Sequence, residues 1–190
     1  MWALIAGIIL FLAVHSIRVI APDFRERMIE NLGEMKWRGL YSIASIAGIA
    51  ILVWGYGQAR YDNVYIYSPP IWMNHLQSLL MLIAFIFFVA SIVPDSRIKK
   101  TIGHPALLSV KIWAVGHLLV NGDLASLLLF GSFLAWAVIT LINAKRREEV
   151  IIENVPALRN DIVVVAGGLV LWALFVFWLH ELLIGVPVIA

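Results

Sequence analysis

The sequence predicts an all-α integral membrane bundle of six transmembrane helices. Hydrophobic residues make up 62% of the 190 positions and charged residues only 14%, more apolar surface than one soluble core can bury. Mean hydropathy is +0.93, and apolar stretches recur at lengths suited to roughly 30 Å of hydrocarbon. Basic residues fall on alternate connections between those stretches. Soluble enzymes, nucleic-acid readers and disordered tails are excluded as classes, so the expected partner is the lipid bilayer and not nucleic acid. Cysteine is absent, which removes disulfides, thiolate catalysis and iron–sulfur ligation.

The predicted spans are 2–20, 39–57, 74–93, 105–121, 124–143 and 162–185, within one transmembrane domain covering 1–190. The first has no basic leader and no small-residue cleavage site, so it reads as an uncleaved helix. Residues 21–38 mix charges with apolar positions and suit a short helix on the membrane surface. Tyr61, Tyr65, Tyr67 and Trp72 supply an interfacial aromatic belt. Ser68-Pro69-Pro70 is expected to start the third span, with proline where a missing donor costs least. Asn121-Gly122-Asp123 predicts a helix stop and restart, with Gly122 left-handed and Asp123 the cap. So tight a turn makes the fourth and fifth spans antiparallel neighbours.

Arg18, Arg25, Arg27, Lys36 and Arg38 follow the first span. Arg97, Lys99 and Lys100 lie between the third and fourth, and Lys145, Arg146, Arg147 and Arg159 between the fifth and sixth. Arg60 alone falls in a connection on the other side, and Lys111 lies within a span. Retention of Lys and Arg on the cytoplasmic side predicts a multi-pass membrane protein with both termini outside. The Lys145-Arg-Arg-Glu-Glu run reads as part of that topology signal.

Polar residues inside spans are costly and therefore informative. His15 lies in the first span with Arg18 one turn on; Arg18 can snorkel or meet an acidic group. His104 and Pro105 open the fourth span, where capping is the plainest role. Lys111 shares a face with His104 and needs a partner from another helix or a ligand. His117 has Trp113 and Asn121 four residues away on the same face, and Gly116 beside it permits close approach. Separated histidines on different helices suit either interhelical hydrogen bonds or b-type haem. At 1.5 Å per residue, His15 lies about 7 Å from its span's end at Ile20, and His117 about 20 Å from His104. That difference keeps His104 open as the alternative partner of His15.

The stretches LFLAVHSIRVIAP, RGLYSIASIAGI with WGYGQAR, and HPALLSVKIWAVGHLLVNGDLASLLLFGSFLAW resemble the NnrU family of bacterial membrane proteins across residues 1–143. The resemblance implies an association with denitrification and nitric oxide metabolism. The family is similar, more distantly, to 15-cis-zeta-carotene isomerase, a membrane haem b enzyme that isomerises a polyene. That similarity implies haem b with His15 and His117 as axial ligands and His104 nearby. Arg18 and Lys111 would then be charge partners for propionates. Where the isomerase carries a redox-exchanging cysteine, this chain has Ala114, so cysteine–histidine ligand exchange lies outside its chemistry. Two functions are expected: redox-linked or isomerase-like haem chemistry on a small or lipophilic substrate, or a non-enzymatic accessory factor acting through a membrane protein partner.

Overall fold

The computed structural model describes residues 1–61, 64–147 and 156–188. Its elements, in order, are α1 (Trp2–Ile20), α2 (Pro22–Leu32), α3 (Glu34–Ala59), α4 (Met73–Ile92), α5 (Arg97–Ile102), α6 (Pro105–Val120), α7 (Leu124–Arg146) and α8 (Leu158–Leu174). A π-helical turn (Phe175–Leu179) then leads into α9 (His180–Ile184). The fold is all-helical, with one isolated bridge between Tyr65 and Asp123 among the described residues. Among the described residues, five helices are long and apolar enough to cross a membrane: α1, α3, α4, α7 and the run from Leu158 to Ile184. The fourth expected span, α6, is apolar but has only 16 residues, so the count supported by length is five rather than six.

Glycines set the closest seam. Gly7 of α1 lies on Leu52 of α3, Gly48 of α3 on Phe11, and Gly55 on Leu4; a methyl at Gly48 would sit 3.0 Å from the Phe11 Cα. Such small residues let antiparallel backbones approach where lipid supplies no hydrophobic drive. On the other side, α4 lies between α6 and α8. Ser109 Oγ donates to the Ala84 carbonyl at 2.8 Å and Trp172 Nε1 to the Ser78 carbonyl at 3.1 Å. α7 is the most buried of the long helices, with Ala125, Leu129, Phe133, Ala137, Leu141 and Ala144 along its inner face. α6 and α7 pack against each other, as the tight turn requires.

These pairings bring the basic connections to one end of the bundle. There Arg147 Nη1 donates to the Arg18 carbonyl at 3.2 Å. α8 is clamped to the α4–α5 corner by Asn160 Nδ2 on the Pro94 carbonyl, 3.0 Å, and by Asp161 Oδ1 on the Ile98 N–H, 3.2 Å. Glu148 and Glu149 lie outside the described residues.

Three local expectations are corrected. The surface helix ends at Leu32 because Gly33 takes φ 82 and reorients the chain, so residues 34–38 begin α3. The third span starts at Met73, whose N–H bonds the Pro70 carbonyl; the prolines precede the helix instead of opening it. Gly122 is absent from the positive-φ glycines. It is needed for close approach instead: its carbonyl accepts from Ile66 N and Tyr67 N at 2.7 and 3.2 Å, and a side chain there would collide with Tyr67. Asp123 does cap α7, its Oδ1 accepting from Ser126 N at 2.8 Å.

Candidate histidine sites

Both histidines singled out by the sequence use the same local device. His15 Nδ1 lies 2.8 Å from the Phe11 carbonyl and His117 Nδ1 lies 2.9 Å from the Trp113 carbonyl. A ring nitrogen facing a carbonyl must carry the proton, so each neutral imidazole keeps its lone pair on Nε2. That is the tautomer a metal-ligating histidine needs, fixed by a backbone acceptor.

Their surroundings are aromatic. The His15 ring stacks on Phe11 at 4.1 Å, with Tyr41 of α3 at 5.3 Å and the edge of Trp136 of α7 at 6.2 Å. Trp136 Nε1 is buried without a hydrogen-bond partner among the described residues. Beside this cluster a hollow of about 240 Å³ runs between α1 and α7, lined by Leu12, Ser16, Trp136 and Thr140 among others. His117 stacks on Phe130 at 4.5 Å and meets Trp113 at 5.3 Å. Asn121 Nδ2 donates to the His117 carbonyl at 2.9 Å, so the Trp113–His117–Asn121 face is formed as its spacing predicts.

The two imidazoles do not meet. Phe130, Phe133 and Trp136 lie along α7, and a ladder of rings runs between the sites. His117 touches Trp113, Trp113 touches Phe133 at 5.5 Å, Phe133 touches Phe11 at 5.7 Å, and Phe11 carries His15. Phe130, beside His117, and Trp136, beside His15, are six residues apart on α7, about 9 Å along the axis. The donor chemistry thus fits an axial imidazole at either level. It does not fit one iron held by both residues in this packing.

The other candidates are dispersed. His104 occupies the N-cap position of α6 but makes no side-chain cap bond; it lines a separate hollow with Ser91 and Lys99 and is not brought against His15. Lys111 is half-buried in α6, and Arg18 is exposed near the end of α1. Among the described residues no three His, Asp or Glu side chains converge in a way that would hold a metal ion. The sequence reading missed Tyr41, Phe133 and Trp136 as walls of the His15 site. The i, i+3, i+6 spacing of Phe130, Phe133 and Trp136 was the available signal, since it puts three rings along α7.

No curated protein and no solved structure matches the chain. One family model, described as NnrU protein, matches residues 3–188, which takes in the last apolar helix as well as the motif-bearing 1–143. The chain therefore belongs to the NnrU family.

Proposed function

We propose that this chain is a six-span membrane protein of the bacterial inner membrane that binds haem b through His15. In this reading α6 crosses the bilayer with α4 and α7, the basic end faces the cytoplasm, and both termini lie outside. The function is redox-linked or isomerase-like chemistry on a small or lipophilic molecule, in the setting of denitrification and nitric oxide metabolism. The observation that carries it is the Nδ1 bond to the Phe11 carbonyl, which leaves Nε2 as a ligand inside an aromatic wall.

Haem, when bound, would supply a one-electron redox centre, and His15 would hold it. The chain's own part is to hold the His15 tautomer through Phe11 and to exclude water with the rings of Phe11, Tyr41 and Trp136. Trp136 Nε1 offers a proton to an acceptor, and Arg18, one turn nearer the basic end, meets a carboxylate. His117 is a second imidazole position at the far end of the ring ladder, and Lys111 a further charge partner. The test is a reduced-minus-oxidised absorption spectrum of the purified protein with haem quantified per chain. Near-stoichiometric haem is expected; a protein still colourless after haem supply rejects the reading. Single-cysteine labelling tests the topology cleanly, because the natural chain has no cysteine.

The filled ring ladder favours a second reading, a non-enzymatic accessory factor whose histidines are packing residues. It would show a colourless protein that still associates with a membrane partner, unaffected by His15→Ala.

A further inference from the structure

The basic end carries a second hollow, of about 220 Å³, where the end of α4, α5 and the first turn of α6 meet. Its wall is largely apolar, formed by Gly103, Pro105, Ala106 and Leu107, with Ser91, Lys99 and His104 as its polar members. The cations of this corner differ in their neutralisation. Arg97 is turned to Asp161, Nε to Oδ2 at 3.9 Å. Lys99 Nζ meets only the neutral Ser91 carbonyl at 3.2 Å and has no carboxylate partner among the described residues. The His104 side chain makes no cap hydrogen bond among the described residues either. A half-buried ammonium facing a hollow without a counter-charge is costly unless an anion completes it.

The position says which anion. α4 ends at Ile92 and α6 begins at Pro105, so the hollow lies where two apolar helices leave the hydrocarbon and lipid headgroups begin. Basic pockets between helices at that level are suited to anionic headgroups. We propose that this hollow binds one anionic phospholipid of the adjacent leaflet. Lys99 and His104 contact its phosphate, and the apolar wall covers its glycerol and upper acyl carbons. The site is independent of the haem reading and shares no residue with the His15 cluster.

The full chain is reconstituted into nanodiscs of phosphatidylcholine with graded phosphatidylglycerol, and lipid retained per chain is counted by native mass spectrometry. One retained phosphatidylglycerol is expected, in preference to phosphatidylcholine. Lys99→Gln weakens retention about fivefold, the effect of one cation near a charged surface, His104→Gln weakens it further, and Lys99→Arg restores it. Equal retention of the two lipids overturns the proposal and needs no variant. So does full retention in Lys99→Gln. Displacement of the lipid by millimolar inorganic phosphate would also overturn it, identifying a soluble-anion site instead.

Discussion

His15 and His117 share a hydrogen bond and differ in almost everything around it. His15 sits where three helices converge, with rings from α3 and α7 about it, an indole N–H that has no partner among the described residues alongside and a hollow next to it. His117 is pressed between Trp113 and Phe130 and tied through its carbonyl to Asn121. The same backbone device thus leaves a ring nitrogen beside a hollow at one level and packs a helix turn at the other. Tautomer control is a local property of the helix, whereas ligand access is set by the neighbours.

The comparison breaks most completely if the α1–α3 seam is forced apart. Gly7→Val or Gly55→Val is expected to cost about 3 kcal/mol or prevent folding, because the added carbons meet the facing backbone. Gly131→Ala, where a methyl meets nothing within 4 Å, is the control, and thermal unfolding in detergent reads both. Next, His15→Ala should remove at least about tenfold in haem retention, while His117→Ala leaves the spectrum in place. Equal loss in both would mean that the ladder opens and one iron takes both imidazoles.

A smaller effect sharpens the far-end side. Asp123→Ala removes the α7 cap, and Tyr56→Phe removes the 2.9 Å bond to Ser126; each is expected to cost about 1 kcal/mol. Hydrogen exchange should rise around Leu124 and not around His15. The smallest is a pH effect at Tyr67, whose hydroxyl donates to the Leu118 carbonyl. Burial, reinforced by Asp123, pushes this phenol above its ordinary value of 10.0. The folded state therefore favours the neutral form, and that stabilisation is whole below pH 10 and lost as pH rises through the folded pKa. Tyr67→Phe should flatten the alkaline limb of the unfolding curve.

The five long apolar helices were legible because hydrocarbon imposes a length on any helix that crosses it, and α1 begins and ends at the residues its apolar run indicated; the fourth expected span, α6, falls short of that length. Asp123 was equally readable, since a cap is a local event. Gly122 and Gly33 were not: which glycine turns left-handed and which admits a neighbouring segment depends, in the first case, on contacts from more than fifty residues away. The unequal depths of His15 and His117 followed from counting residues, but only the packed helices showed that rings fill the interval. Trp136 escaped notice because an indole in an apolar run looks like lipid-facing bulk until α1 is laid against it.

The short α6 has a consequence for the bilayer itself. Sixteen residues span about 24 Å, some 6 Å less than an average hydrocarbon core, while the 26 residues of α3 overreach it. Were α6 to cross the bilayer as proposed, lipid beside it would have to compress and lipid beside α3 to stretch, or the helices would lean to share the difference. On the proposed six-span reading the protein would carry a thickness gradient, with headgroups and water drawn towards the α6 flank.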